Sequence, residues 1–323
     1  MREEPPRITI ARRLLQATDR NSISAADVKL TALLPLLFAM SWLVPERQWR
    51  RLSGWFAGRR EGAREDSVAR GVRLSGLGPE LGIHGSQISH MLNSHRLLSY
   101  LQYLRDYRPG GWRCPAVIEG MDRLLAARSE SHGVILWVAH FVYNGLPLKK
   151  ALSDAGVRVF HMSRPEHGFS TTAYGVAVLN PLRSRIEERY LARRIMIKRG
   201  AEHVALREAH RLIGEGNVVS ITAGHWEGRQ VARIPVGAAA LPVSTGAPSL
   251  AHATRAPLLP VFISLATDGR FRLRIGDALT CDPALPRSVA VAAAMAEFSR
   301  QLSGEIGRSP DQWRGWKYLE ASS

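Results

Sequence analysis

Residues 134–147 read VILWVAHFVYNGLP. The run from Val134 to Ala139 is apolar and rich in β-formers, the pattern of a buried strand. It stops at His140, and Asn144, Gly145 and Pro147 then break the strand pattern. The lysine-bearing stretch PLKKALSDAG that follows reads as a helix closed by Gly156. A strand turning into a helix predicts a parallel sheet, and in such sheets sites lie at the carboxyl ends of the strands. His140 falls there. An imidazole titrates near pH 6.5, so it can take a proton from an acceptor hydroxyl. It can equally serve as a core histidine that satisfies a buried backbone group.

The rest of the chain repeats the alternation. AVIEGMDRLLAAR reads as a helix and VRVFHMS as a strand. PLRSRIEERYLARR reads as a basic helix running through Arg194, and ALREAHRLIGEG as a helix. NVVSITAG is a strand, APSLAHATR a helix and PLLPVFISL a strand. RFRLRIGDAL alternates as an edge strand would, and SVAVAAAMAEFSRQLSGEIGR is a last long helix. The expected fold is α/β, with a mostly parallel central sheet covered by helices on both faces. It occupies residues 108–323, beyond the turn cluster RPGGW.

Residues 1–22 are polar and rich in arginine, the composition of a mobile basic arm. Residues 23–107 read as a helical region. SAADVKLTALLPLL offers Ser24 as a cap with Asp27 in the first turn, and QISHMLNSHRLLSYLQYLRDY carries apolar residues at helical spacing. Within it, residues 30–45 (LTALLPLLFAMSWLVP) are uncharged and mostly apolar. A spanning helix needs about 20 such residues. This segment is shorter, contains Pro35, and has Lys29 before it and Arg47, Arg50 and Arg51 after it, with Trp42, Trp49 and Trp55 near its end. An interfacial anchor and a buried core helix both fit. No secretory signal is expected, because the first thirty residues lack an apolar core.

The 323 residues carry 44 Lys and Arg against 28 Asp and Glu, a net charge of +16. Such an excess suits an anionic membrane surface or an acidic partner. Nucleic acid is not expected, since no helix-turn-helix or aromatic RNA-binding pattern interleaves with the basic residues. The two cysteines, Cys114 and Cys281, have no metal spacing and fit a reducing compartment. No cofactor or metal is expected: no GxSxG elbow, HExxH pair or phosphate loop occurs.

Candidate binding groups cluster on the predicted rim. Arg164 follows a strand end in HMSRPEHG, and Glu166 lies beside it. The loop TAGHWEGRQ supplies Glu227 and Arg229 after another strand. Arg185 and Arg189 share a helix face, with Glu187 and Glu188 elsewhere on that helix. Guanidinium forks suit phosphate or carboxylate. A solvated face with internal ion pairs is the plainer reading of that helix.

The order of these features resembles the lipid A biosynthesis acyltransferases, the late enzymes that add secondary acyl chains. Members begin with a short hydrophobic helix flanked by basic residues. They then carry G-V-I-L-x-x-x-H-F-G-N-W-E, which GVILWVAHFVYNGL matches through Gly133, Val134, Ile135, Leu136, His140 and Phe141. An arginine-proline follows a strand, as in HMSRP. Then comes an LA-x-x-T-x-A-P segment, here LAHATRAP, and a tryptophan-rich tail, here DQWRGWKYL. The resemblance implies that His140 is the base that activates an acceptor hydroxyl. The hydroxyl attacks the thioester of an acyl carrier protein or acyl-CoA, and the acceptor is a lipid at the cytoplasmic face of the inner membrane. The family places an acid five residues after the histidine to orient it. That position is Gly145 here, which leaves Asn144, Glu166 or Glu227 as replacements and Arg164, Arg185, Arg189 and Arg229 as binders of substrate anions. A non-catalytic lipid- or acyl-binding member of the same fold is the alternative.

Overall fold

The computed structural model describes residues 8–12, 21–58, 67–130, 133–224 and 230–322. The chain enters as a short strand, β1 (Thr9–Arg12), and then becomes helical: α1 (Ala25–Leu43), α2 (Glu46–Gly58), α3 (Ser67–Ser75), α4 (Leu77–Leu81) and α5 (Gly85–Arg105). Ser24 caps α1 as expected. Its hydroxyl accepts the Asp27 N–H, and the Asp27 carboxylate accepts the Ser24 N–H in return (2.8 Å). Trp49, Ser53 and Ala57 recur every four residues along α2, all buried, and α1 and α2 both pack on α5.

The α/β part follows: β2 (Ala116–Glu119), α6 (Met121–Glu130), β3 (Val134–Val138), α7 (Leu146–Asp154), β4 (Phe160–Ser163), α8 (Asn180–Glu188), β5 (Arg193–Met196), α9 (Glu202–Gly214) and β6 (Val218–Thr222). The chain continues through β7 (Gln230–Val236), β8 (Ala239–Ser244), α10 (Gly246–Thr254), β9 (Leu258–Leu265), β10 (Phe271–Ile275), α11 (Arg287–Arg308) and β11 (Glu320–Ala321). Seven strands form the main sheet in the order β2-β10-β9-β3-β6-β4-β5. The five from β9 to β5 run parallel, β10 is antiparallel to β9, and β2 is parallel to β10. The mostly parallel α/β expectation holds. Along β3, Ile135 and Trp137 join one apolar cluster while Val134, Leu136 and Val138 join another, the period-2 alternation of a strand with a core on each side.

Three local expectations are corrected, and one element is new. AVIEGMDRLLAAR is not one helix. Its first residues form β2, and Gly120, at φ +79°, turns the chain before α6. The basic helix does not run through Arg194. It ends near Glu188, and Arg193–Met196 pairs with β4, burying Ile195. β10 is not an edge strand, because β2 covers its free side. Finally, β7 and β8 form an unanticipated hairpin, turned at Gly237 (φ +56°), in a second, antiparallel sheet ordered β1-β7-β8-β11. That sheet also recruits Thr9–Arg12, within the stretch expected to be a mobile arm.

Candidate functional site

Each residue from Val134 to Val138 is at most 1% exposed, because β3 is flanked by β9 and β6 and buried on both sides. The parallel ladder runs out at Ala139, whose N–H reaches Val261 O (2.8 Å). The tail then replaces it. Val142 N–H donates to Gln312 O (2.9 Å), Arg314 N–H donates to His140 O (3.0 Å), and Phe141 and Trp313 form an antiparallel bridge between those bonds. Buried Trp313 and Trp316 seat this tail. His140 therefore sits where a parallel strand end meets an antiparallel strap. Its ring stacks on Tyr318, with centroids 6.2 Å apart and planes 16° apart. His140, Ala223, Leu241, Val243, Phe298 and Tyr318 help line a pocket with room for about one water.

The acid position lies on the opposite side of the turn. A Cβ on Gly145 would collide with the Tyr103 hydroxyl, and it would stand 2.7 Å from Arg183 Nη2 and 3.0 Å from Glu187 Oε1. Those three groups belong to a buried hub. Glu187, taken from the sequence as part of a solvated helix face, has a side chain only 3% exposed. Its carboxylate accepts from Lys149 Nζ, Arg183 Nε (2.7 Å), His167 Nε2 (3.0 Å) and the Tyr103 hydroxyl. The Tyr103 oxygen in turn accepts the N–H of Leu146, the first residue of α7 (2.8 Å). One carboxylate thus ties α5, the turn after His140 and the loop after β4 together.

Burial alone would push the Glu187 carboxyl up, but Lys149, Arg183 and His167 together hold it well below the usual carboxylate range. Burial drives the Lys149 ammonium down to about 8 against the opposing pull of Glu187. It drives His167 down to about 3, again against Glu187. At neutral pH Glu187 is charged and His167 is not. A neutral His167 facing a carboxylate carries its proton on Nε2, which leaves Nδ1 as the acceptor. Its ring lies 5.6 Å from that of buried His161, whose Nδ1 bonds Ser220 Oγ (2.9 Å).

The residues expected from sequence are distributed unevenly. Asn144 is buried beside the turn and gives its N–H to Phe141 O (3.3 Å); among the described residues no hydrogen bond joins its side chain to His140. Glu166 lies 3.9 Å from Arg199. Arg164 is buried on the rim, and its carbonyl accepts from His167 N–H (3.0 Å) and Arg194 (2.8 Å). Arg189 is tied to buried Asp106 (3.3 Å), a brace between α8 and the end of α5. Arg185 is exposed. Glu227 and Arg229 lie outside the described residues. Sequence reasoning missed Tyr103, Lys149, His167, Arg314 and Tyr318. The one local signal was Lys149, which lies on the same helical stripe as Leu146 and Leu152.

A family model described as bacterial lipid A biosynthesis acyltransferase matches residues 98–316, more than half of the chain. The match takes in β3, the hub and the tail as far as Trp316. No curated protein matches the chain.

Proposed function

Because the chain belongs to the bacterial lipid A biosynthesis acyltransferase family, we propose that it moves an acyl chain from a thioester donor to a hydroxyl or amine of a lipid-like acceptor, with His140 as the base. The donor is an acyl carrier protein or acyl-CoA. His140 takes the proton of the acceptor as its oxygen or nitrogen bonds to the thioester carbon. The carbon–sulfur bond then breaks, and the imidazolium returns its proton to the departing thiolate. The observation that carries this reading is the position of His140 itself, at the end of the central strand, stacked on Tyr318 and open to a pocket. Arg164, on the neighbouring rim loop, is the group proposed to meet donor or acceptor charge.

The test is acyl transfer from labelled acyl carrier protein or acyl-CoA into a lipid extract. His140→Ala is expected to lower turnover by about 10²–10⁴. A wild type that transfers nothing, or a variant that matches it, sinks the reading and leaves the non-catalytic lipid-binding alternative. A second base is favoured by one specific contact, His167 Nε2 on Glu187 at 3.0 Å. Activity that survives His140→Ala but not His167→Asn would assign the proton transfer to His167.

We further propose that α1 and α2 rest on the anionic inner-membrane surface from the cytoplasmic side. α1 is 19 residues long and apolar enough to cross a membrane by length and composition. It leaves Leu36, Trp42 and Leu43 exposed, and Arg47, Arg51 and Trp55 recur every four residues on the exposed side of α2. The triple change Trp42→Glu, Leu43→Glu and Trp55→Glu should release the protein from phosphatidylglycerol vesicles with its fold intact. Undiminished binding would move the contact elsewhere.

A further inference from the structure

The tail that closes over His140 is held at its root by side chains the proposed chemistry does not use. Gln312 is 4% exposed, and its amide takes the place of a strand partner at the end of β9. Its Oε1 accepts the Leu265 N–H (2.7 Å) and its Nε2 donates to the Leu265 carbonyl (2.9 Å). Beside it, the Asp311 carboxylate lies 2.9 Å from Nε2 of His95, a residue of α5. The other ring nitrogen, Nδ1, lies 2.7 Å from the Tyr143 hydroxyl. A carboxylate only accepts, so Nε2 carries the proton of that bond and Nδ1 is left to accept from Tyr143 O–H. Tyr143 is fully buried, where a hydroxyl needs a partner.

The two ends of this chain of bonds lie on the two segments that hold His140. Tyr143 is three residues past His140, in the turn. Asp311 is three residues before Arg314, whose N–H donates to the His140 carbonyl (3.0 Å), and the same tail brings Tyr318 onto the His140 ring. His95 therefore bridges turn and tail from α5. Its bond to Asp311 is charge-assisted, and the two side chains are only 16% and 18% exposed, so water competes little with it. A catalytic group misplaced by about 1 Å can cost about 10² in rate.

We infer that His95, gripped between Tyr143 and Asp311, is a positioning residue for acyl transfer: it pins the tail to the turn and so fixes where the His140 imidazole points. The inference rests on the acyl-transfer reading for its biological meaning, yet the hold on His140 can be measured without turnover.

The experiment compares the full-length wild type with His95→Leu, His95→Gln and Leu124→Ala. His95→Leu removes both bonds, while His95→Gln can still donate to Asp311 from its amide. Leu124, fully buried where α6 packs on β3 and β10, is the control for lost stability alone. All are assayed well below their melting temperatures. The readings are kcat and KM for acyl transfer, and the rate at which diethyl pyrocarbonate modifies His140, followed by the mass of the peptide that holds it. His95→Leu should lower kcat about tenfold or more with KM nearly unchanged, and should speed modification of His140 several-fold as the tail loosens over its ring. His95→Gln should recover part of both. Leu124→Ala should melt earlier yet match the wild type in both. Where His95→Leu does not fold, Tyr143→Phe, which deletes one bond of the pair, takes its place, with smaller shifts expected in the same directions. The inference is overturned if kcat survives the loss of the bonds, if Leu124→Ala lowers kcat as much, or if His140 is modified at the wild-type rate. If the wild type transfers nothing, the acyl-transfer reading fails, and His140 modification alone decides whether His95 holds the ring.

Discussion

Two histidines stand on the rim of the same sheet, and their settings differ. His140 ends the central strand and lines the pocket, but the residue five positions on is Gly145. His167 lies in the loop after β4 and holds a carboxylate, Glu187, at 3.0 Å. The difference shows what the glycine permits. A side chain at 145 would occupy the space of the Tyr103 hydroxyl, Arg183 and Glu187, so a chain with an acid there could not assemble this hub in the same form. A carboxylate still stands 3.0 Å from where the Cβ of residue 145 would be. It is committed to four donors, from two neighbouring helices, its own helix and a loop, and it positions the turn after His140 through Tyr103 and Leu146.

The hardest test of the contrast is Glu187→Gln. It leaves Lys149, 1% exposed, and Arg183 as buried cations without their counter-charge. Breaking a buried pair in this way costs about 3–5 kcal/mol, and urea unfolding should show a loss of that size. His140→Ala should cost little stability on the same measure, because its role is chemical. A Glu187→Gln loss below about 1 kcal/mol, the level of an exposed surface pair, would mean that the hub is not what holds the rim together.

Gly145→Ala comes next. The added methyl must displace the Tyr103 hydroxyl, and overpacking of this kind costs about 1–3 kcal/mol. In a Tyr103→Phe background the obstructing oxygen is gone, so the methyl should cost less there than in the wild type. Equal costs in both backgrounds would show that glycine at 145 does not serve the hub.

Acid should act on the His167 side of the comparison through two shifted groups. His167 is depressed to about 3 in the fold and Glu187 lies well below its ordinary value, while the unfolded chain titrates both normally. As pH falls below about 6.5 the unfolded chain binds a proton at His167 that the native state refuses, and below about 4.5 it binds another at Glu187. Both linkages have the same sign, so stability falls with acid by up to about 1.4 kcal/mol per pH unit for each proton. His167→Asn should flatten the part of the curve between pH 6.5 and 4.5. Asp27, lowered to about 2, adds its own loss only below its ordinary value of 3.8. A stability curve level down to pH 4.5 would contradict the placement of His167 as a neutral, carboxylate-held ring.

The His140 half of the comparison was legible in the sequence and the His167 half was not, for a physical reason. β3 and the residue after it are six consecutive apolar residues ahead of a polar one, and α7 closes at Gly156, where Val157 N–H returns to Leu152 O (2.8 Å). Both are local patterns. The Ser24 cap and the α5 periodicity are local too. The hub joins Tyr103, Lys149, His167 and Glu187 from separate parts of the chain, and no spacing rule brings those together. Glu187 looked like surface because its helix is crowded with arginines. The β7–β8 hairpin was hidden differently. Pro235 and Pro242 lie within its strands, and proline argues against an inner strand such as β8.

The smallest expected effect sharpens the His140 side. Tyr318 stacks on the His140 ring and belongs to the same tail that donates the Arg314 N–H to the His140 carbonyl. An aromatic contact of this kind is worth about 0.5–1.5 kcal/mol beyond its buried area. If the stack fixes the orientation of the ring, Tyr318→Leu should lower turnover several-fold with little change in KM, since the imidazole spends less time aimed at the acceptor. Tyr318→Phe should keep near wild-type turnover, because it preserves the ring and removes only the hydroxyl. The reverse pattern, with Phe impaired and Leu tolerated, would assign the role to the hydroxyl and remove stacking as the means by which the His140 ring is held in place.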